Sequence, residues 1–300
     1  MSSSPSALIE TFHRLHVVKY LTASSGVLLV YDYLLTFSDE VIFFWSSPWN
    51  VGKVLFLLTR YMPMVEAILT YFNQLGTSVS VSTCELLFNI TGWMFIFNTC
   101  IAEAILMLRV WALWNRSKRV AAFFTILSMT CIVLAAVLFI KFHGSQRFLD
   151  QPRVVALPGC YPISADKIIV VAYILLMVFE SVILGLMLTK GVRHYRTSSS
   201  SFIRAMLQDG VVYFVTLMSV SFINAIVFIA AAPEMANILT PMQRSLHSML
   251  SARILMRMRK EATRTSDSTM STSLPLNTLS FATVTQDPES HSPVGGTGGS

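Results

Sequence analysis

The chain has 300 residues, of which 54% are hydrophobic and only 13% charged, with a mean hydropathy of +0.61. Soluble domains carry about 25% charged residues, so a water-solvated globule is excluded and most of this chain must meet lipid or other apolar helices. The net charge of +6 and pI near 9.3 would suit nucleic acid; that partner is excluded because Lys and Arg stand at the ends of hydrophobic runs, as multi-span proteins place them on the cytoplasmic side.

Residues 1–16 are short and polar, without the basic start or the small-residue site of a cleavable signal. A membrane span takes roughly 20 apolar residues, and the hydrophobic runs predict spans over 17–37, 53–72, 84–111, 120–140, 167–189 and 210–231. A seventh, 235–256, is amphipathic and interrupted by Gln243, Arg244 and His247. Pro63 and Pro241 are expected to kink spans two and seven. The longest loop lies before span five and carries Pro152, Pro158 and Pro162. From residue 260 the composition turns to Ser, Thr, Pro and Gly, too polar to offset the entropy of ordering, so 260–300 is expected to be disordered.

The predicted fold is an all-α bundle of seven transmembrane helices spanning 17–259. The basic residues gather at Arg116 to Arg119, at Lys190 to Arg196 and at Arg253 to Lys260. This places the N-terminus outside and the C-terminus in the cytoplasm. Arg14 and Lys19 before span one, with Asp39 and Glu40 after it, run against that rule locally, but acidic residues count little in it.

Particular residues carry a resemblance. Tyr31-Asp32-Tyr33, Asp39-Glu40-Val41 with Trp45, Pro48-Trp49 and the run Lys53 to Tyr61 resemble a fungal domain of unknown function. That domain marks the first two spans (17–72 here) of many multi-span proteins of mushroom-forming basidiomycetes. The stretches Leu108 to Arg116, Gln208 to Gly210 and Ser251 to Arg259 fit the same proteins. The resemblance implies a membrane architecture and assigns no catalytic residue, ligand or cofactor.

Charges inside spans are costly, about 2.5–3.5 kcal/mol each at mid-membrane, so partners are expected. At about 1.5 Å per residue, Asp32, Arg60 and Glu103 all lie roughly 8–12 Å from the cytoplasmic ends of their helices. The expectation is that Arg60 bridges Asp32 and Glu103. Glu66, Glu180, Arg244 and His247 lie nearer the centre and form a second set, either a binding cavity or proton path, or structural glue between helices.

Under this topology Cys84 and Cys160 face the oxidising side, where disulfides persist. A bridge there would resemble the one that pins the corresponding loop of seven-span receptors; the alternative is two free thiols. Cys100 and Cys131 are expected as small apolar fillers. Arg109 sits where seven-span receptors carry their switch arginine. It is flanked by Leu108 and Val110 rather than by an acidic and an aromatic residue, and is expected as a cytoplasmic anchor reaching toward headgroups.

Of six His residues only His247 lies clearly within a span, so no His cluster of a membrane zinc hydrolase is expected. No P-loop, dinucleotide fingerprint or nucleophile elbow is present, and the last span has no Lys for a retinal Schiff base. The expectation is therefore a receptor-like multi-pass protein of the plasma membrane or another secretory-pathway membrane. It has no catalysis, metal or cofactor, and its partners are the bilayer, a small-molecule or peptide ligand and a cytoplasmic protein. A transporter or channel using the intramembrane acids is the alternative, and a membrane-embedded lipid enzyme the second.

Overall fold

The computed structural model describes residues 5–75, 80–148, 160, 162–164, 166–197, 201–231, 235 and 238–270. Among these residues the chain is all-α apart from one small strand pair. Its helices are α1 (Pro5–Glu40), α2 (Val51–Leu75), α3 (Val81–Leu113), α4 (Lys118–Ser145), α5 (Ile169–Thr197), α6 (Ser201–Ala230) and α7 (Thr240–Met270). A short π-helical turn, Val41–Trp45, continues α1.

Five helices, α2 to α6, are long and apolar enough to cross a membrane. The outward surface of α4 shows why lipid is the solvent: Phe123, Ile126, Met129, Val133, Val137 and Ile140 are all exposed, an apolar stripe that water would penalise. α1 and α7 do not reach the same apolarity. In α7 the reason is visible, because Gln243, Ser245, His247, Ser248 and Ser251 are buried against α1, α2, α3 and α6. A helix shielded by neighbours need not be apolar, provided its polar groups find partners.

The elements depart from the expected limits at both ends. Residues 5–16, read as a polar lead-in, form the first turns of α1. α7 continues to Met270, eleven residues into the segment 260–300 read as a disordered tail; residues 271–300 lie outside the described residues, as do Pro152 and Pro158. The seventh helix starts at Thr240 rather than at 235, so Pro241 occupies its first turn, where the missing N–H has no intrahelical acceptor to lose. Among the described residues, Pro63 is the proline that stands in a helix interior, beyond the first turn.

The main core joins α2, α3, α5, α6, α7 and the π turn through Phe44, Phe56, Ile105, Ile183, Leu217 and Ala252. Phe44 and Phe56 stack with centroids 3.7 Å apart, and the Arg259 guanidinium covers Phe44 at 4.0 Å. At the opposite end of the bundle, Arg147–Phe148 (β1) pairs antiparallel with Pro162–Ser164 (β2). Cys84 at the start of α3 is disulfide-bonded to Cys160, with Cα atoms 5.7 Å apart. The Cys160 N–H donates to the Asn73 carbonyl at 3.0 Å, so the α4–α5 connection is pinned to both α2 and α3.

Candidate functional site

Arg60 is the hub of the first charge cluster. Its Nη1 lies 3.0 Å from Asp32 Oδ2 and its Nε lies 3.1 Å from Glu40 Oε2. Nη2 donates to the Tyr33 carbonyl at 3.2 Å and to Thr36 Oγ1 at 2.5 Å. Asp32, Thr36 and Glu40 are four residues apart and share one face of α1. Glu40 also accepts from the Tyr61 hydroxyl (2.6 Å) and Trp45 Nε1 (3.0 Å). Arg253 of α7 reaches the other oxygen of Asp32 at 2.6 Å. Two carboxylates thus face two guanidiniums, and α1, α2, the π turn and α7 are tied by a cluster of zero net charge.

Glu103, expected as the third member, is not there. The guanidinium is saturated by ligands from α1, and Glu103 points elsewhere, toward α5 and α7. The second expected set divides into two. Glu66 pairs with Arg244 at 2.9 Å and accepts from Asn98 Nδ2 at 2.7 Å; Arg244 also donates to Thr70 at 3.1 Å and lies over Phe95 at 5.5 Å. Glu180 and His247 instead face Glu103. The potential ligand atoms of these three buried residues lie within 4.8 Å of one another. The hydrophobic run puts Glu103 within α3 but says nothing of its direction around that helix.

Above this group lies a cavity of about 400 Å³ between α3, α4 and α5, completed by α2 and α7. Asn73, Gln146 and Cys160 line its disulfide end, and α3 forms one wall from Phe88 down through Phe95 and Thr99 to Glu103. Ile132 and Phe139 of α4, Tyr173 and Leu176 of α5, and Thr240 and Arg244 of α7 complete it. Gly92 belongs to the same wall, and a Cβ there would collide with the Phe139 ring, so glycine sets the approach of α3 to α4. The cavity is within the usual range of small-molecule sites, roughly 300–1,000 Å³, and like them is mostly apolar with a few polar groups. Cys100 and Cys131, read as packing residues, both line it and are the free cysteines of the chain.

Arg109 is not an exposed anchor. It is buried on the packed stripe of α3 that also holds Ala102, Ile105 and Leu106, three to seven residues before it. Glu40, Arg253 and the amide pair Asn224–Gln243 were not singled out as site residues. Gln243 accepts from Asn224 at 2.6 Å and donates to Ser221 at 2.8 Å. A signal for Glu40 existed in its eight-residue spacing from Asp32, visible only if α1 is carried past Phe37.

Among families, the one described as "Family of unknown function (DUF6533)" matches residues 20–65. That interval holds Asp32, Glu40, Arg60 and Tyr61, the α1–α2 part of the charge cluster, and none of the residues lining the cavity. No curated protein matches the chain. The matched segment is thus an ion-paired helical hairpin, and the cavity belongs to the rest of this membrane protein.

Proposed function

We propose that this chain is a receptor-like protein crossing the membrane seven times, N-terminus outside and C-terminus cytoplasmic, that binds a small, largely apolar molecule without transforming it. The observation that carries the reading is the cavity of about 400 Å³ beneath the disulfide-pinned connection. The basic residues just after α3 and in the C-terminal parts of α5 and α7 support the orientation. The buried cluster around Arg60 supports a scaffold role, since its charges are matched by close partners and none of Asp32, Glu40 and Arg60 lines the cavity.

Cys100 and Cys131 make the reading testable in the native chain. Purified protein in lipid nanodiscs is treated with a small apolar maleimide, with and without a panel of sterols, fatty alcohols and other apolar compounds. A cavity ligand slows modification of Cys100 and Cys131 together in a saturable manner. If no compound protects either thiol, or a compound protects a Cys100→Ala/Cys131→Ala variant's melting as well as the native protein's when cavity-lining Phe95 is replaced by Trp, binding in the cavity is refuted.

One observation favours a second reading, transport. Glu103 reaches the cavity wall and adjoins Glu180 deeper in the bundle, which would suit an ion-coupled path. Proton-coupled uptake into reconstituted vesicles, abolished by Glu180→Gln, would favour that reading over the first.

A further inference from the structure

Glu103, Glu180 and His247 are at least nine-tenths buried, with exposures of 5%, 0% and 3%. All four carboxylate oxygens and both imidazole nitrogens lack a hydrogen-bond partner among the described residues. The nearest approach between His247 Nε2 and Glu180 Oε1 is 3.7 Å, too long for a hydrogen bond. Elsewhere in this bundle buried carboxylates are satisfied in detail: Asp32 by two arginines, Glu40 by an arginine, a tyrosine and a tryptophan, and Glu66 by an arginine and an amide. Three buried side chains that bring one ligand atom each to within 4.8 Å of the others, with six polar atoms unsatisfied among them, call for a missing partner in a molecule that pairs Asp32, Glu40 and Glu66 so fully.

We propose that Glu103, Glu180 and His247 form a binding site for a divalent first-row transition-metal cation. Two carboxylates and one neutral imidazole supply three ligands and two negative charges, so a doubly charged ion makes the site neutral at a depth where net charge is costly. A monovalent ion would leave one charge uncompensated. Calcium and magnesium favour all-oxygen shells, whereas imidazole with carboxylate suits zinc and its neighbours. Ligand atoms around a tetrahedral zinc stand about 3.4 Å apart. The widest spacing here, 4.8 Å, has to close by about 1.4 Å, within the reach of two glutamate side chains. Because Glu103 also lines the cavity, the cavity gives the ion an entry route and leaves a fourth position for water or a bound molecule. The site goes beyond ligand recognition and stands whether or not the cavity takes an organic ligand.

The test uses the purified full chain in nanodiscs, stripped with chelator and titrated with Zn²⁺, with Co²⁺ as a spectroscopic probe. Bound metal, melting temperature and visible absorption are measured for the native protein and for Glu103→Gln, Glu180→Gln and His247→Gln. The expected result is that each variant loses one equivalent of zinc and the cobalt absorption bands of the native protein. Zinc raises the melting temperature of the native chain and leaves that of Glu180→Gln unmoved. Without metal, Glu180→Gln melts no lower than the native chain, because an amide relieves the crowding of two carboxylates; this keeps the test valid if His247→Gln does not fold. Equal zinc stoichiometry and equal melting shifts in native protein, Glu103→Gln and Glu180→Gln would overturn the proposal. Absence of any zinc response in the native chain would also overturn it, and a lower metal-free melting temperature of Glu180→Gln would then mark two carboxyl groups that share a proton instead of an ion.

Discussion

At Arg60 each guanidinium nitrogen is committed to a partner within 3.2 Å, which makes the residue hard to remove and the consequences easy to rank. Arg60→Leu leaves Asp32 with Arg253 but strips Glu40 of its one charged partner, leaving it only the Tyr61 hydroxyl and the Trp45 indole. Breaking a buried pair from one side costs about 3–5 kcal/mol, so Arg60→Leu is expected to destabilise by that amount. Adding Glu40→Gln to it should recover part of the loss, and a double-mutant cycle followed by unfolding in detergent measures the coupling. Asp32→Asn should cost less than Arg60→Leu, since Arg60 then keeps Glu40. Asp32 and Arg60 were legible in the sequence because each is an isolated charge in an apolar run. Glu40 was not, because it adjoins Asp39 in a stretch that looks like a loop. The Glu103–Glu180–His247 group was hidden for a different reason: hydrophobic runs reveal where along a helix a charge sits, while its direction depends on packing against helices far away in sequence.

The element whose composition conceals its role is α7. Its polar residues made it the least apolar of the expected spans, yet they are buried, and all but His247 of the five meet a hydrogen-bond partner on another helix. Gln243 bonds Asn224 and Ser221 of α6, Ser248 donates to the Thr59 carbonyl of α2 at 2.8 Å, and Ser245 to the Ser25 carbonyl of α1 at 3.1 Å. Gln243→Leu should therefore destabilise by about 1–3 kcal/mol, the cost of leaving a buried amide and hydroxyl unpaired, despite making the helix more apolar. Pairing it with Asn224→Leu should be less harmful than additivity predicts, which melting of the two single variants and the double one would show. The α3–α4 turn offers the opposite sign. Asn115 and Arg116 both have φ of 52°, a conformation asparagine tolerates and arginine does not. Arg116→Gly should raise stability by about 1 kcal/mol, visible as a higher melting temperature, and a fall would mean that the arginine side chain itself holds the turn.

Over the whole molecule the first and last helices depend on one another. α2 to α6 are apolar enough to be held by lipid alone, but α1 and α7 bring Asp32, Glu40, Arg244 and Arg253 to the bundle and are neutralised largely by mutual contact and by α2. The apolar face of α1 makes a related point: Val27, Leu34 and Leu35 are exposed and need lipid around them. A seven-span and a five-span threading both put the chain ends on opposite sides, so end tags cannot separate them; the connection between α1 and α2 can. Trp49 is exposed in that connection. In a chain with Cys100→Ala and Cys131→Ala, a Trp49→Cys thiol should resist a membrane-impermeant maleimide on intact cells and react once the membrane is permeabilised. An epitope fused before Met1 should be reached by antibody in both conditions. Labelling of the Trp49→Cys thiol on intact cells alongside that epitope would place both on one side of the bilayer. α1 would then lie along the surface, and the ion pairs that join it to α2 and α7 would have to form outside the hydrocarbon.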